Sequence, residues 1–281
     1  NGPFRIDGSY VKGNNPEGFA ISIGSLSDSF ATNLNFVLNQ PASETYLRFD
    51  GTFLLSNTAV NGNLIVESKK FKDFCDSMFA GHKLSSYWDK KFETSMELRV
   101  NKSQAELANI ILKYGNTAGA GNITIPLPKK NYNVDDDETD EKHQINVKFD
   151  MTDLSLEPFV EGLKDFARKQ QAAGAVYAPD YPFDVDVALS ALKAEYNGQT
   201  IKNFKTATSL EDNVWSFALE DGVFPGNSDV KASGKLFSVE DALNYSAEVN
   251  AKTDNLKKML EWLEIPVKQV AASTYLKSVV E

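Results

Sequence analysis

The sequence predicts an α+β protein whose main element is a predominantly antiparallel β-sheet, built from repeated strand–helix units. Apolar residues alternate with polar residues over many short stretches, which is the period of a strand with one buried face. The chain has 18 phenylalanines and 10 tyrosines, many of them in these stretches, and aromatic residues favour strands. Amphipathic helical patterns follow groups of strands, so we expect helices packed on the sheet.

Composition and charge limit the classes of protein to which the chain can belong. Its 281 residues, 42% of them hydrophobic, suffice for one large or two ordinary globular domains. The net charge of -10 argues against nucleic acid as a partner, because nucleic-acid-binding proteins carry a basic surface. No apolar run reaches the roughly 18 residues of a membrane-spanning helix.

The single cysteine, Cys75, excludes an internal disulfide and a cysteine-rich metal site. It lies on the apolar face of a predicted helix, where we expect a small buried hydrophobic residue rather than a reactive thiol. One cysteine in a chain of this length is compatible with the cytosol or with a bacterial periplasm. The start at Asn1 lacks a methionine and a basic segment, so we expect a removed leader or a piece of a longer chain.

The first predicted unit, residues 1–115, begins with antiparallel strands over residues 4–66, separated by turn-forming residues. Ser68 then caps a predicted helix. A further strand covers Phe92–Val100, and Ser103–Glu106 has the pattern of a capping box, which predicts a second helix. The apolar stripes of these two helices are Phe71, Phe74, Cys75, Met78 and Phe79, and Leu107, Ile110, Ile111 and Tyr114.

Residues 116–143 are predicted to link the two units. Small residues over 115–122 indicate a loop, and Ile123–Leu127 indicates a short edge strand because it contains Pro126. The acidic run 135–141 lacks the spacing of a calcium-binding loop, so a solvated loop is favoured.

The second predicted unit, residues 144–281, repeats the order of strands and helix. A strand through Met151 leads into a helix over Leu156–Ala172, and a linker leads to a second series of strands. The stretch Val214–Leu263 gives strand, turn, strand, strand and then a helix that opens at Thr253. The chain stops as a strand begins near Lys277, so both ends are expected to be cuts within a larger repetitive protein.

An internal repeat is predicted at a spacing of 185 residues, because two strand–helix segments align without gaps. Four times, a strand leads through a short polar link with Ser or Thr into a helical pattern. The matched positions of the aligned pair are Leu64 with Val249, Val66 with Ala251, Ser68 with Thr253, Phe71 with Leu256, Phe74 with Met259, Cys75 with Leu260 and Met78 with Leu263.

Residues 183–265 resemble the AsmA family of Gram-negative envelope proteins, in its alphaproteobacterial form. The resemblance lies in the turn and strand of Phe224–Gly234, the strand Tyr245–Ala251 and the helix Asp254–Leu263. This helix is similar to the family's pattern Leu-x-x-Leu-Leu-x-Trp-Leu, with Met259 at the second leucine. A strand pair with a short glycine turn, Val185–Asn203, is also similar to the family's recurrent pair. Asn227 departs from the pattern, since a second glycine is usual there, although asparagine also tolerates positive φ.

The resemblance implies a non-catalytic periplasmic module that takes part in outer-membrane biogenesis. It implies an elongated, strongly curved sheet, groove-like or an open barrel, that guides phospholipid or lipopolysaccharide-type lipid, in a parent chain anchored in the inner membrane by a segment absent here. The alternative is an envelope scaffold that acts through contacts with a partner protein. The lipid-contacting candidates are Val185, Val187, Leu189, Trp215, Phe217, Leu219, Ile145, Val147 and Phe149.

No arrangement of residues in the sequence predicts catalysis, a metal or a cofactor. His82 and His143 both fall in predicted polar linkers, with no cysteine or carboxylate at ligand spacing, so solvated histidines are expected. No phosphate-binding glycine loop or hydrolase motif occurs. The remaining signal is the alternation itself, and a packed core and an open lipid-binding groove both demand it.

Overall fold

The computed structural model describes residues 3–12, 15–78, 84, 86–127, 143–162, 164, 183–239, 242–265 and 274–280. The chain divides into two units, Asn1–His143 (unit 1) and Gln144–Glu281 (unit 2). The acidic run 135–141, His82, residues 165–172 of a predicted helix and the linker 173–182 lie outside the described residues.

Unit 1 is an antiparallel sheet in which each strand pairs with the next strand along the chain. The strands predicted over residues 4–66 and over Phe92–Val100 are confirmed. The first and last strands of the unit do not pair with each other, so the sheet is open. The strands are β1 (Phe4–Lys12), β2 (Asn15–Ile23), β3 (Ala31–Gln40), β4 (Thr45–Leu54), β5 (Ala59–Ser68), β6 (Phe92–Val100), β7 (Gln104–Tyr114) and β8 (Thr117–Pro126).

The strand register places most of the apolar residues of unit 1 on one face of the sheet. Directly paired residues of an antiparallel sheet share a face, so each chain of pairs forms a row across the strands. Polar residues form the rows of the other face, for example Arg5, Ser22, Asn35, Asp50 and Asn63. One apolar row is Ile6, Ile21, Phe36, Phe49, Leu64 and Met96.

The helix predicted over Leu107–Tyr114 is wrong, because this segment belongs to strand β7. Asn109 has a φ of +51° and lies at register shifts toward both neighbouring strands, which marks a β-bulge. The extra residue shifts the alternation, so apolar residues before and after the bulge are spaced as in a helix. Ser103 begins no helix either: its backbone N–H donates to Asn101 Oδ1 (2.8 Å) in the turn between β6 and β7.

The loop predicted over residues 115–122 is also wrong, since strand β8 begins at Thr117 and runs to Pro126. Its small residues lie opposite large residues of β7: Gly119 pairs with Leu112, and Gly121 with Ile110. Backbone pairing to β7 therefore supports a segment whose own side chains give no strand signal.

Helix α1 (Phe71–Met78) confirms the first helical prediction and covers one end of the apolar face of unit 1. The Phe71 ring stacks on Phe92 with centroids 4.4 Å apart and meets Tyr114 edge-on at 5.6 Å. Ser68 does not cap this helix. It ends β5, and its buried hydroxyl accepts a hydrogen bond from Thr45 Oγ1 (2.7 Å).

In unit 2, β9 lies beside β10, and the later strands pair antiparallel in chain order. These strands confirm the predicted second series, and His143 begins β9 rather than lying in a linker. The strands are β9 (His143–Ser155), β10 (Phe183–Tyr196), β11 (Gln199–Glu211), β12 (Val214–Phe224), β13 (Ser228–Val239), β14 (Ala242–Thr253) and β15 (Thr274–Val280).

Two helices follow strands of unit 2. Residues 157–162 are helical (α2), within the predicted Leu156–Ala172. Helix α3 (Leu256–Trp262) confirms the helix predicted after Thr253. Its N-cap is Asn255, whose Oδ1 accepts from the backbone N–H of Lys258 (3.0 Å). Thr253 itself ends β14 and accepts a hydrogen bond from Ser228 Oγ (2.7 Å).

Candidate functional site

The nine predicted lipid-contacting residues lie on one face of the sheet of unit 2, called here the apolar face. The register aligns Val185 with Leu210 and Trp215, and the row continues to Leu236 and Tyr245. A second row runs Val187, Thr208, Phe217, Gly234 and Ala247, and a third runs Leu189, Thr206, Leu219, Ala232 and Val249.

Strand β9 contributes its three candidates to the same face. Ser190 Oγ donates to Asp150 Oδ1 (2.6 Å), so these two polar residues share the opposite side of the sheet. Residues at odd positions of β9 therefore point to the apolar side, because side chains alternate along a strand. Ile145, Val147 and Phe149 thus lie on the apolar face, on the strand beside the one that carries Val185, Val187 and Leu189.

The apolar face is only partly covered. Phe217 is 41% exposed, and the other eight candidates are half-buried. In the row of Val185 and Trp215, Leu210 is buried, whereas Tyr245 is 59% exposed. Large apolar side chains of an enclosed core are normally buried, so the middle of this face is open to a further apolar group.

The rows that contain the candidates carry no charged residue, whereas the opposite face carries several. On that opposite face Asp186 pairs with Ser209, and Ser216 pairs with Lys235. A further ion pair there joins Lys205 Nζ to Glu220 Oε2 (2.7 Å). Only the charged face is suited to water, and the apolar face is suited to hydrocarbon.

Phenylalanine rings lie flat over glycines on the apolar faces of both units. A Cβ at Gly8 would meet Phe19 Cζ at 2.7 Å, and a Cβ at Gly51 would meet Phe49 Cζ at 2.5 Å. The Phe217 ring covers Gly234 in the same way. A ring that lies along the sheet rather than standing on it keeps the face shallow, and it leaves space above the sheet.

Helix α3 covers the end of the apolar face that lies farthest from Trp215. Trp262 packs against Tyr196 and Phe224, with ring centroids 5.9 and 5.8 Å apart, and its Nε1–H donates to the Tyr196 carbonyl (2.9 Å). A register shift between Leu219 and Val223 turns Phe224 toward this face. The helix therefore closes one end of the face and leaves the rows of the candidates uncovered.

Unit 1 has a similar apolar face. None of the nine candidate residues lies on it, although the same alternation of apolar and polar residues predicts it. Phe49, Leu38 and Val66 are buried at its centre, while Ile21 and Phe36 are half-buried. Toward strand β1 the exposure rises. The apolar patterns over residues 4–66 could have identified these residues as additional candidates.

A row of hydrogen-bonded polar residues borders the apolar face of unit 1 beside helix α1. Glu17 is 2% exposed and accepts hydrogen bonds from Tyr10 Oη and from Gln40 Nε2 (2.7 Å). The bond to Glu17 raises the pKa of Tyr10. Gln40 Nε2 also donates to Ser77 Oγ (2.6 Å), which ties helix α1 to the sheet.

Cys75 lies on helix α1, and His143 lies on strand β9. Cys75 is half-buried on α1, and burial, with a smaller contribution from the charge of Asp76, raises the pKa of its thiol, which disfavours the thiolate. His143 is half-buried at the start of β9. Among the described residues no group of three or more His, Cys, Asp or Glu side chains is arranged to hold a metal ion.

Comparison with known proteins finds no family model, no curated protein and no solved structure that matches this chain. Within the part of the chain that the structure describes, no helix has the length and apolar character needed to cross a membrane.

Proposed function

We propose that this chain is a non-catalytic module of an AsmA-like envelope protein whose apolar sheet faces bind the acyl chains of phospholipid or lipopolysaccharide-type lipid. The module lies in the periplasm and takes part in outer-membrane biogenesis. The parent chain is anchored in the inner membrane by a segment outside this sequence.

The observation that carries the proposal is the half-exposed, charge-free face around Phe217. Water is a poor solvent for such a surface, and each methylene group that leaves water there gains ~0.8 kcal/mol. A face without charges contributes nothing to recognition of a polar headgroup, so the acyl chain is the part of the lipid that it binds.

The proposal includes a repeated strand–helix unit and curvature of each sheet into a groove. Support for the repeat comes from α1 and α3, which start 185 positions apart, at Phe71 and Leu256. In both places the preceding strand ends in a buried hydroxyl residue, Ser68 or Thr253, bonded to a hydroxyl of the neighbouring strand. Support for curvature comes from the bulges at Asn109 and in β12, since bulges increase the local twist.

A scaffold that contacts a partner protein is the second candidate function. The same exposed apolar face around Phe217 favours it, because such patches also mark protein interfaces. The two functions differ in what the face touches, which a photoreactive side chain can report.

The direct test places a photoreactive benzoyl-phenylalanine at Phe217 or at Ser216, its neighbour on the opposite face. After irradiation in Gram-negative cells, the lipid function predicts cross-linked phospholipid or lipopolysaccharide at position 217 and none at position 216. Capture of protein alone at position 217 would support the scaffold. Equal lipid labelling at both positions would contradict the proposal.

Substitution provides an independent measurement with a matched control. Phe217→Asp places a carboxylate in the acyl-binding face, and we expect about tenfold weaker binding of a fluorescent phospholipid, because an unpaired charge beside hydrocarbon is unfavourable. Ser216→Asp adds the same charge on the other face, opposite Lys235, and should leave binding unchanged. Native mass spectrometry of the purified chain should detect bound lipid. A lipid-free protein that displaces no fluorescent lipid would overturn the assignment.

A further inference from the structure

Three side chains in the rows of the apolar face of unit 2, counted across strands β10 to β13, can donate a hydrogen bond. They belong to Thr206 and Thr208 of β11 and to Trp215 of β12. Thr206 Oγ1 donates to the Ala218 carbonyl (2.8 Å). Thr208 Oγ1 and Trp215 Nε1 have no hydrogen-bond partner within the part of the chain that the structure describes, and neither atom is buried.

The two unpartnered donors are neighbours in the interior of the sheet. Thr208 lies directly opposite Phe217, and Trp215 lies directly opposite Leu210. Thr208 and Trp215 are therefore diagonal neighbours on the same face, at a separation that an aromatic side chain can span. Strand β11 pairs with β10 and β12, and strand β12 pairs with β11 and β13, so neither residue lies at an edge.

An acyl chain on this face would separate these donors from water. A donor that hydrocarbon covers without offering an acceptor is costly, because its hydrogen bonds to water are lost. The acceptor nearest to the hydrocarbon of an acyl lipid is the carbonyl oxygen of the acyl group. That oxygen satisfies the two donors only when the carbonyl lies beside Thr208 and Trp215.

We infer that Thr208 and Trp215 donate hydrogen bonds to the acyl carbonyl of the bound lipid, and that the hydrocarbon extends from there over Phe217 and Leu219 toward helix α3. This inference rests on the function proposed above and adds the orientation of the lipid. Two uncharged hydrogen bonds exchange readily with water because their net contribution is small. The contact therefore orients the lipid along the strands and does not hold it in place.

The two ends of the apolar face differ in the way that this orientation requires. Just beyond the row of Trp215, strands β11 and β12 are joined by a turn that contains the exposed Asp212. A headgroup that follows the carbonyl reaches water at this end. At the other end Trp262 of α3 packs against Phe224, and its N–H is bonded within the protein. The covered end therefore offers aromatic surface to the hydrocarbon.

Two single-chain phosphocholine lipids of equal length, one with an ester link and one with an ether link, test the carbonyl contact. Calorimetric titration of the full chain with monomeric lipid should show about tenfold tighter binding of the ester, because only the ester supplies an acceptor for the two donors. Equal affinities would overturn this inference and leave acyl-chain binding intact. Binding of neither lipid would overturn the proposed function as well.

Variants that remove one donor and keep a similar shape assign the effect to residues. Thr208→Val and Trp215→Phe should each reduce the ester preference to about threefold, and the double variant should bind both lipids equally. The ratio of the two affinities is the readout, because lost apolar contact weakens both lipids alike. Thr206→Val is the matched control and should keep the full preference, since its hydroxyl is bonded within the protein.

Circular dichroism checks that these variants fold. A full ester preference in the double variant, or its loss in Thr206→Val, would show that the carbonyl does not bind at Thr208 and Trp215.

Photoreactive lipids test the orientation without any substitution. One lipid carries a diazirine beside the acyl carbonyl, and the other carries it at the far end of the hydrocarbon. After irradiation and peptide mapping, the first should label residues around Trp215, and the second should label residues around Leu219 or on α3. Labelled sites that coincide for the two lipids, or that occur in the reverse order, would overturn the orientation.

Discussion

Single glycine residues determine whether neighbouring aromatic rings can lie along the sheet. Gly234 lies beneath the Phe217 ring, and a Cβ there would also meet the Ser246 carbonyl oxygen at 2.5 Å. The Phe217 ring can therefore lie along the sheet because Gly234, directly opposite, has no side chain. The sequence shows the phenylalanines and the glycines, but only the register shows that they are opposite each other.

Gly234→Ala should lower the free energy of unfolding by about 1–3 kcal/mol, because the added methyl group must displace backbone or the aromatic ring. Urea denaturation measures the effect. Gly18→Ala is the matched control, since a Cβ at Gly18 meets nothing within 4 Å. It should change stability by about 0.5 kcal/mol or less. Equal losses for both variants would show that the steric explanation is wrong.

The raised pKa of Tyr114 predicts how the free energy of unfolding depends on pH in the alkaline range. Burial, with smaller contributions from the charges of Asp89 and Cys75, raises the pKa of Tyr114 from 10.0 to about 12. Between these two values the unfolded chain has lost a proton that the folded chain retains. Stability therefore falls as pH rises through this interval, by up to about 1.4 kcal/mol per pH unit.

Tyr114→Phe removes the ionisable group and should make this alkaline decline shallower, with little change in the pH dependence below pH 10.0. The measurement is the urea midpoint of both proteins across the interval. An equally steep decline in the variant would assign the pH dependence to other groups.

Strands and helices were predictable from the sequence where the backbone is regular, because the apolar residues then recur with the period of a strand or a helix. The strands of residues 4–66 and the stretch Val214–Leu263 follow period two and then helical spacing, and both predictions hold. The prediction of a helix in place of strand β7 is wrong because the bulge at Asn109 interrupts the alternation of apolar and polar residues. Ile111, 58% exposed on the polar face, then completes a false helical stripe. Glu106, predicted as part of a capping box, instead contacts Arg99 of β6 at 3.4 Å.

The same reasoning explains the partial success at the functional site. The nine candidates lie on one face because alternation fixes a side of the strand, as it does for Val185 and Phe217. Whether that side is covered depends on which part of the sheet the helices contact. Local alternation along a strand does not specify these contacts.

Helix α3 depends on its N-cap, since Asn255 Oδ1 accepts the backbone N–H of Lys258. Asn255→Ala should lower the free energy of unfolding by about 1 kcal/mol, and Asn255→Asp, which keeps the acceptor, should lose much less. Urea denaturation followed by tryptophan fluorescence reports the change, because Trp262 lies on this helix. A full loss in Asn255→Asp would show that the cap is not the cause.

At the scale of the whole molecule, the chain consists of two units, and in each unit α1 or α3 covers one end of the apolar sheet face. Strands that are neighbours in the sheet are also neighbours in sequence. Such pairing is local, which favours rapid folding. The faces left uncovered are the part of the molecule that binding would stabilise.

On the function proposed above, lipid should raise the melting temperature of the chain. A ligand that binds only the folded state adds about 2.7 kcal/mol of stability at a hundredfold excess over its dissociation constant. Differential scanning fluorimetry with a monomeric lysophospholipid measures the shift. The Phe217→Asp variant should show a much smaller shift than wild type, and Ser216→Asp should show the full one. An unchanged melting temperature in wild type would contradict acyl-chain binding.

The lack of charge in the rows around Phe217 has a consequence for the motion of a ligand. Neighbouring strands repeat at about 4.8 Å, and no position along the row of Phe217 carries a charge. On the function proposed above, an acyl chain that advances by one strand loses some dispersion contacts, gains others and meets no charged group. The bound chain therefore diffuses across the strands instead of residing at one position.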